Sequence, residues 1–115
     1  MSIRLILWGK VKDDSSGEAF GAMAKRAAAF SEADEAITTH NFYLSDDGRY
    51  WEEEVFADEP GFFTHLAAAT EAGIIDEYLA VVDLDGVFVL DPVGNDVRTA
   101  LEQWGAVHLE LAGGF

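Results

Sequence analysis

The chain has 115 residues, half of them hydrophobic, a formal net charge of −15 and no cysteine. That length is one domain, 1–115, with apolar content for a single thin core. The charge excludes nucleic acid and anionic membrane surfaces as partners, and the missing thiols exclude disulfides, thiolate metal sites and a cysteine nucleophile. The acidic residues are scattered rather than blocked and read as a solvated surface. The start, Met1 to Lys10, holds too short an apolar run for a signal-peptide core or a membrane span, so a cytoplasmic protein is expected.

Ile3 to Lys12 reads as a first strand, with Ile3, Leu5 and Leu7 on one face and Arg4, Ile6, Trp8 and Lys10 on the other. A polar turn follows, then a helix from Glu18 to Ala36 with Phe20, Met23, Ala24, Ala27 and Phe30 near helical spacing and Ser16 placed to cap it. Ile37 to Ser45 and Arg49 to Phe56 are strands joined by a hairpin at Asp47-Gly48. Asp58 is a good N-cap and Pro60 suits a first helical turn; that helix runs to about Ala72, with Gly73 as its stop. Ile74 to Leu90 has two readings: a helix ending near Leu84 followed by a strand Val87 to Leu90, or a hairpin turning at Asp85-Gly86. The helix is preferred. Asn95 or Asp96 then caps a short helix with Val97, Leu101 and Trp104 on its buried side, Gly105 stops it, and Ala106 to Leu111 makes a final strand.

This order opens with the split β-α-β pattern of ferredoxin-like domains. The expected fold is α+β: an antiparallel sheet with helices on one face and an extra C-terminal helix and strand. The other face of the sheet carries Trp8, Ile6 and Tyr43, so a homodimer that buries it is expected.

The run from Phe42 to Leu66 resembles the dimeric α+β barrel superfamily, in particular the antibiotic-biosynthesis monooxygenase-like domains. The residues that carry the resemblance are Glu54-Val55-Phe56, then Ala57-Asp58-Glu59, then His65-Leu66. The resemblance implies two sheets packed face to face in a dimer and a pocket between each sheet and its helices. Some members oxidise phenols or quinols with molecular oxygen and no metal or flavin. Others bind or degrade haem and rely on an Asn on the first strand, where this chain has Trp8, Gly9 and Lys10. The piece after Pro92 lies beyond the minimal family domain.

The three histidines, His40, His65 and His108, match no HxH or HExxH spacing, so no metal or other cofactor is expected. His65 borders the apolar face of its helix, four residues before Ala69, and suits the removal of a phenolic or enolic proton. Glu54 and His40 complete the candidate catalytic set. Tyr43, Trp51, Phe62 and Trp8 are the candidate lining for an aromatic or otherwise apolar small ligand. Which strand residues face that ligand depends on the hairpin register. A two-residue loop sets Leu44 opposite Trp51 and Asn41 opposite Glu54, gathering Phe42, Leu44, Trp51 and Val55 on one face and Tyr43, Glu52 and Glu54 on the other. A three-residue loop puts His40 opposite Glu54. The first is favoured because it collects the apolar groups. Glu54 then either orients a histidine or a substrate hydroxyl, or pairs with Arg4, Lys10 or Arg49 at the dimer contact. The functional expectation is a cofactor-independent monooxygenase for a small aromatic, quinol-type or polyketide-like molecule. The alternative is a non-catalytic dimeric module that binds a small ligand or serves a structural role.

Overall fold

The computed structural model describes residues 2–115. Its elements run β1 (Ile3–Val11), α1 (Gly17–Glu32), β2 (Ile37–Leu44), β3 (Arg49–Phe56), α2 (Glu59–Glu71), α3 (Ile74–Val81), β4 (Val82–Val89), α4 (Asn95–Glu102) and β5 (Ala106–His108). The sheet order is β2-β3-β1-β4-β5. The first four strands pair antiparallel in the ferredoxin-like manner, and β5 joins β4 in parallel within the same chain. The sheet is therefore mixed rather than wholly antiparallel, because α4 carries the chain back across before β5 begins. Among the described residues, no helix is long and apolar enough to cross a membrane.

Two of the caps act where the sequence places them, whereas α4 starts from Gly94 with no side-chain cap bond and not from Asn95 or Asp96. Ser16 accepts from the Ala19 N–H at 3.0 Å, and Asp58 from the Gly61 N–H at 2.7 Å. Gly73 adopts φ +79°, a left-handed turn that separates α2 from α3. Three boundaries move, the first being β5, which ends at His108, short of the expected Leu111. Helix α1 ends at Glu32, short of the expected Ala36, because Asp34 turns back to accept from the Ala36 N–H at 2.9 Å. Helix α3 ends at Val81 and β4 begins at once, so Asp85-Gly86 lies inside a strand rather than in a hairpin. The β1–β4 register shifts between Trp8 and Gly9, which leaves Asp85 unpaired between Leu84 and Gly86 and brings Leu84 and Val87 to the same face. A side chain could not replace Gly9 there: its Cβ would lie 2.0 Å from the Asp83 carbonyl oxygen.

The hairpin settles the register against the favoured expectation. Ser45 pairs with Arg49 around Asp46-Asp47-Gly48, and Gly48 takes φ +83°. This is a three-residue loop with glycine at its left-handed position. Leu44 therefore faces Tyr50, Phe42 faces Glu52 and His40 faces Glu54. Paired residues share a face, so Phe42 and Leu44 lie with the glutamates, while Tyr43 lies with Trp51. Turn chemistry outweighs the gathering of apolar groups, because Gly48 is the loop residue that accepts a positive φ without strain.

The apolar core lies on the helix-covered face and has two parts. One unites Ile3, Leu5, Ile37, Phe56, Phe62, Val89, Val97 and Leu101; the other unites Phe20, Met23, Ala27, Tyr50, Tyr78 and Val82. Strand β3 contributes to both ends, with Tyr50 in one and Phe56 in the other, and between them on the same face stand Glu52 and Glu54. Two acidic side chains interrupt an otherwise continuous apolar layer.

Candidate functional site

Alternation along β3 points Tyr50, Glu52, Glu54 and Phe56 beneath the helices. His40, opposite Glu54 on β2, lies between the two acids: its Nε2 is 2.6 Å from Glu52 Oε2 and 3.2 Å from Glu54 Oε1. Glu52 is only 4% exposed. The three side chains line a cavity of about 90 Å³ between sheet and helices, well above the ~10–15 Å³ that one water requires. Phe62, His65, Leu66 and Ala69 of α2 and Tyr78 of α3 roof it, and Leu101 and Trp104 from the C-terminal piece wall one side. Among the described residues, no lysine or arginine lines it.

Electrostatics follow from that setting. Burial pushes Glu52 up to about 7, with hydrogen bonding from Glu54 and the Tyr78 hydroxyl opposing the rise. Glu54 is pushed up to about 8, first by burial and then by the charge of Glu52, against the attraction of His40. Burial pulls His40 below its ordinary value, opposed by Glu54. The Tyr78 hydroxyl, which hydrogen-bonds to the Tyr50 hydroxyl, is held neutral chiefly by burial. The two carboxyls therefore titrate as one coupled unit near neutrality, where one can keep a proton while the other accepts one.

The polar cluster continues beyond the cavity. His40 Nδ1 is 2.6 Å from Ser31 Oγ, Ser31 Oγ is 3.4 Å from His65 Nε2, and His65 Nδ1 is 2.8 Å from Asp34 Oδ2. Phe30 and Phe56 pack on the His65 ring, each with its centroid 5.7 Å away. Asp34 lies below the ordinary carboxylate range, first because the Ala36 N–H donates to it and then because His65 does.

Of the residues expected from the sequence, the fold brings His40, Glu54, His65 and Phe62 to one cavity. Tyr43, Trp51 and Trp8 do not line it: they lie on the opposite, helix-free face of the sheet, with Tyr43 and Trp51 at 55% and 39% exposure. The three-residue hairpin loop is the reason for Tyr43, and the odd–even alternation of β3 and β1 for Trp51 and Trp8. Pairing of Glu54 with a basic residue is also overturned: Arg4 pairs with Asp91, Arg49 with Asp47 and Lys10 with Asp13. Glu52, Tyr78, Ser31 and Asp34 are site members that sequence reasoning did not select. Parity along Tyr50-x-Glu52-x-Glu54-x-Phe56 carries the signal for Glu52, whereas Ser31 and Asp34 give none. The sequence spacing showed no metal pattern, yet His40, Glu52 and Glu54 each offer a ligand atom within 4.8 Å of the others. One imidazole and two carboxylates form a donor set that suits a divalent cation.

No family model and no curated protein matches the sequence. Solved structures do match the fold. MupZ from Pseudomonas fluorescens is 17% identical, with a TM-score of 0.74 over 99% of this chain and 93% of that one. SnoaB from Streptomyces nogalater, a cofactor-independent oxygenase, is 16% identical, with a TM-score of 0.67 over 82% of this chain and 95% of that one. The chain shares the α+β, ferredoxin-like fold of these proteins. A Bacteroides thetaiotaomicron protein described as a possible oxidoreductase shares the same fold, at 17% identity and a TM-score of 0.64 over 75% of this chain and 92% of that one. At such distances the likeness concerns the fold alone.

Proposed function

We propose that this chain is an acid–base enzyme that removes a proton from a small, largely apolar hydroxyl- or enol-bearing molecule, and that it works as a cofactor-independent oxygenase. One observation carries the reading: His40, Glu52 and Glu54 converge on one enclosed, apolar-walled cavity rather than on solvent or surface ion pairs. A ligand-binding module has no need of such convergence. In the proposed reaction the ionised carboxyl of the pair takes the substrate proton, and the protonated one and Tyr78 hold the resulting anion. Molecular oxygen then oxidises the electron-rich anion: one oxygen atom is retained on carbon, and the other leaves as water with two hydrogens from the substrate. The apolar walls keep bulk water from the anion. SnoaB supports the oxygenase half of the reading, since that fold hosts such chemistry there.

The same reading includes a second copy of the chain. On the helix-free face Trp8 stacks on Phe88 with ring centroids 6.5 Å apart, near Ile6, Trp51 and Tyr43. A twin sheet would cover this apolar surface.

The test is oxygen uptake by the purified, chelator-treated protein with a panel of phenols, quinols and polyketide-like enols. Glu54→Gln and His40→Ala are expected to lower kcat by about 10²–10⁴-fold, the usual worth of a positioned acid–base group. Undiminished turnover in Glu54→Gln would sink the assignment, as would activity that returns only when a metal is added.

A further inference from the structure

Among the described residues, the buried polar side chains are Ser31, Glu52 and His65, and all three belong to one hydrogen-bonded line. That line starts in the cavity, passes behind it through Ser31 to His65 in its roof, and ends outside it. From Glu52 it passes 2.6 Å to His40, 2.6 Å to Ser31, 3.4 Å to His65 and 2.8 Å to Asp34, whose side chain is 25% exposed in the α1–β2 turn. Four separate elements supply it: β3, β2, the last turn of α1, and α2. A fold that needed only packing at Ser31 and His65 would place apolar groups there, since buried polar groups stabilise only when fully partnered.

One direction for every hydrogen in this line follows from its outer end. Asp34 Oδ1 accepts from the Ala36 N–H and its Oδ2 faces His65, so the ionised carboxylate requires His65 to carry its proton on Nδ1. In that tautomer His65 Nε2 is free to accept, and Ser31 is the donor beside it. The Ser31 oxygen then accepts from His40 Nδ1–H. His40 Nε2 must in turn accept, and the groups facing it are the carboxyls of Glu52 and Glu54, one of which supplies the hydrogen. Tyr78 and Tyr50 are the remaining titratable groups beside this pair, and both stay neutral donors.

We propose that Ser31, His65 and Asp34 form a proton relay that connects the Glu52–His40–Glu54 cavity to solvent at the α1–β2 turn. The inference rests on the acid–base reading above and adds a proton exit to it. In one passage the Glu52 O–H bond breaks as a His40 Nε2–H bond forms, and the His40 Nδ1–H passes to Ser31. The former Ser31 hydrogen passes to His65 Nε2, and the His65 Nδ1–H passes to Asp34, which gives it to water. Each intermediate atom set loses one hydrogen and gains one, no electrons change owner, and the net result is one proton moved from cavity to surface. A proton returning by the same route restores the first arrangement, so substrate deprotonation and product protonation use the line in opposite senses. Ser31, His65 and Asp34 act through His40 and are positioning residues.

The test needs no substrate. Imidazole ¹⁵N resonances of the full-length protein report which ring nitrogen of His40 and His65 carries hydrogen. Both rings are expected as the Nδ1–H form. Asp34→Asn removes the fixed acceptor and should shift the tautomer ratio of His40, three hydrogen bonds away, by about tenfold, the worth of one buried hydrogen bond. In a Ser31→Ala background the same change should leave His40 unmoved, and exchange of the His40 ring N–H with deuterium should slow; Ser31→Thr, which keeps the hydroxyl, should restore both. A His40 ring indifferent to Asp34→Asn while Ser31 is present overturns the relay, as does a response that survives Ser31→Ala. Carboxyl ¹³C titration separates the two ideas: Glu52 and Glu54 titrating as ordinary glutamates would defeat the acid–base reading itself, whereas absent tautomer coupling beside perturbed carboxyls defeats the relay alone.

Discussion

Replacing Glu52 by glutamine should make the protein more stable at alkaline pH, by an amount that vanishes in acid. Glu52 is 4% exposed, and burial raises it from an ordinary 4.5 to about 7. Between those two values the native state holds more protons at this site than the unfolded chain. The contribution to stability is therefore fully present below pH 4.5 and is lost as pH rises through 7. The loss is about 3 kcal/mol for Glu52, which for a domain of this size is roughly a 10 °C fall in Tm. The amide of the Glu52→Gln variant keeps the shape of the carboxyl and cannot ionise. Thermal and urea unfolding of both proteins at pH 5, 7 and 9, at one protein concentration, isolates the site from the general repulsion of a −15 surface, because only the difference between the two curves is read. The difference should open above neutrality in favour of Glu52→Gln. A gap that stays constant with pH would refute the claim that this carboxyl is ionised at a cost in its buried position.

Three further outcomes are expected. Gly9→Ala drives a Cβ to within 2.0 Å of the Asp83 carbonyl oxygen, so β1 and β4 must part locally; unfolding should show a loss of about 1–3 kcal/mol or more, and an unchanged midpoint would contradict the close approach. Ala69→Phe, at a buried position on the cavity roof, should fill most of the space and weaken binding of 2-naphthol about tenfold or more by fluorescence titration, while undiminished binding would move the ligand site elsewhere. The double variant Ile6→Asp with Phe88→Asp should sediment as a monomer at micromolar concentration where the parent sediments as a dimer, and a monomeric parent would remove the twin-sheet arrangement.

Strand and helix identity is written locally in this chain. The alternation of Ile3, Leu5 and Leu7, the Ser16 and Asp58 caps and the Gly73 stop all act within one or two turns of where they stand. His40, Glu54, His65 and Phe62 were legible as candidates because each stands at the border of an apolar run, three of them with a chemical character out of keeping with it. Tyr43, Trp51 and Trp8 were misplaced for a single reason: residue type says an aromatic is buried somewhere, and only strand parity says on which side.

The sequence by itself determined the element order, the acidic surface and the supply of imidazole and carboxyl groups, because those depend on near neighbours and on composition. Tertiary structure alone decided that Ser31 stands 2.6 Å from His40 and Asp34 2.8 Å from His65, and that both glutamates turn beneath the helices. The physical reason is that a hydrogen bond acts over about 3 Å. Residues 31 and 65 come that close only when a whole sheet sets the helices against one another, and the side on which His40 and Phe42 fall, beside Glu54 and Glu52, was chosen by the loop that Gly48 closes.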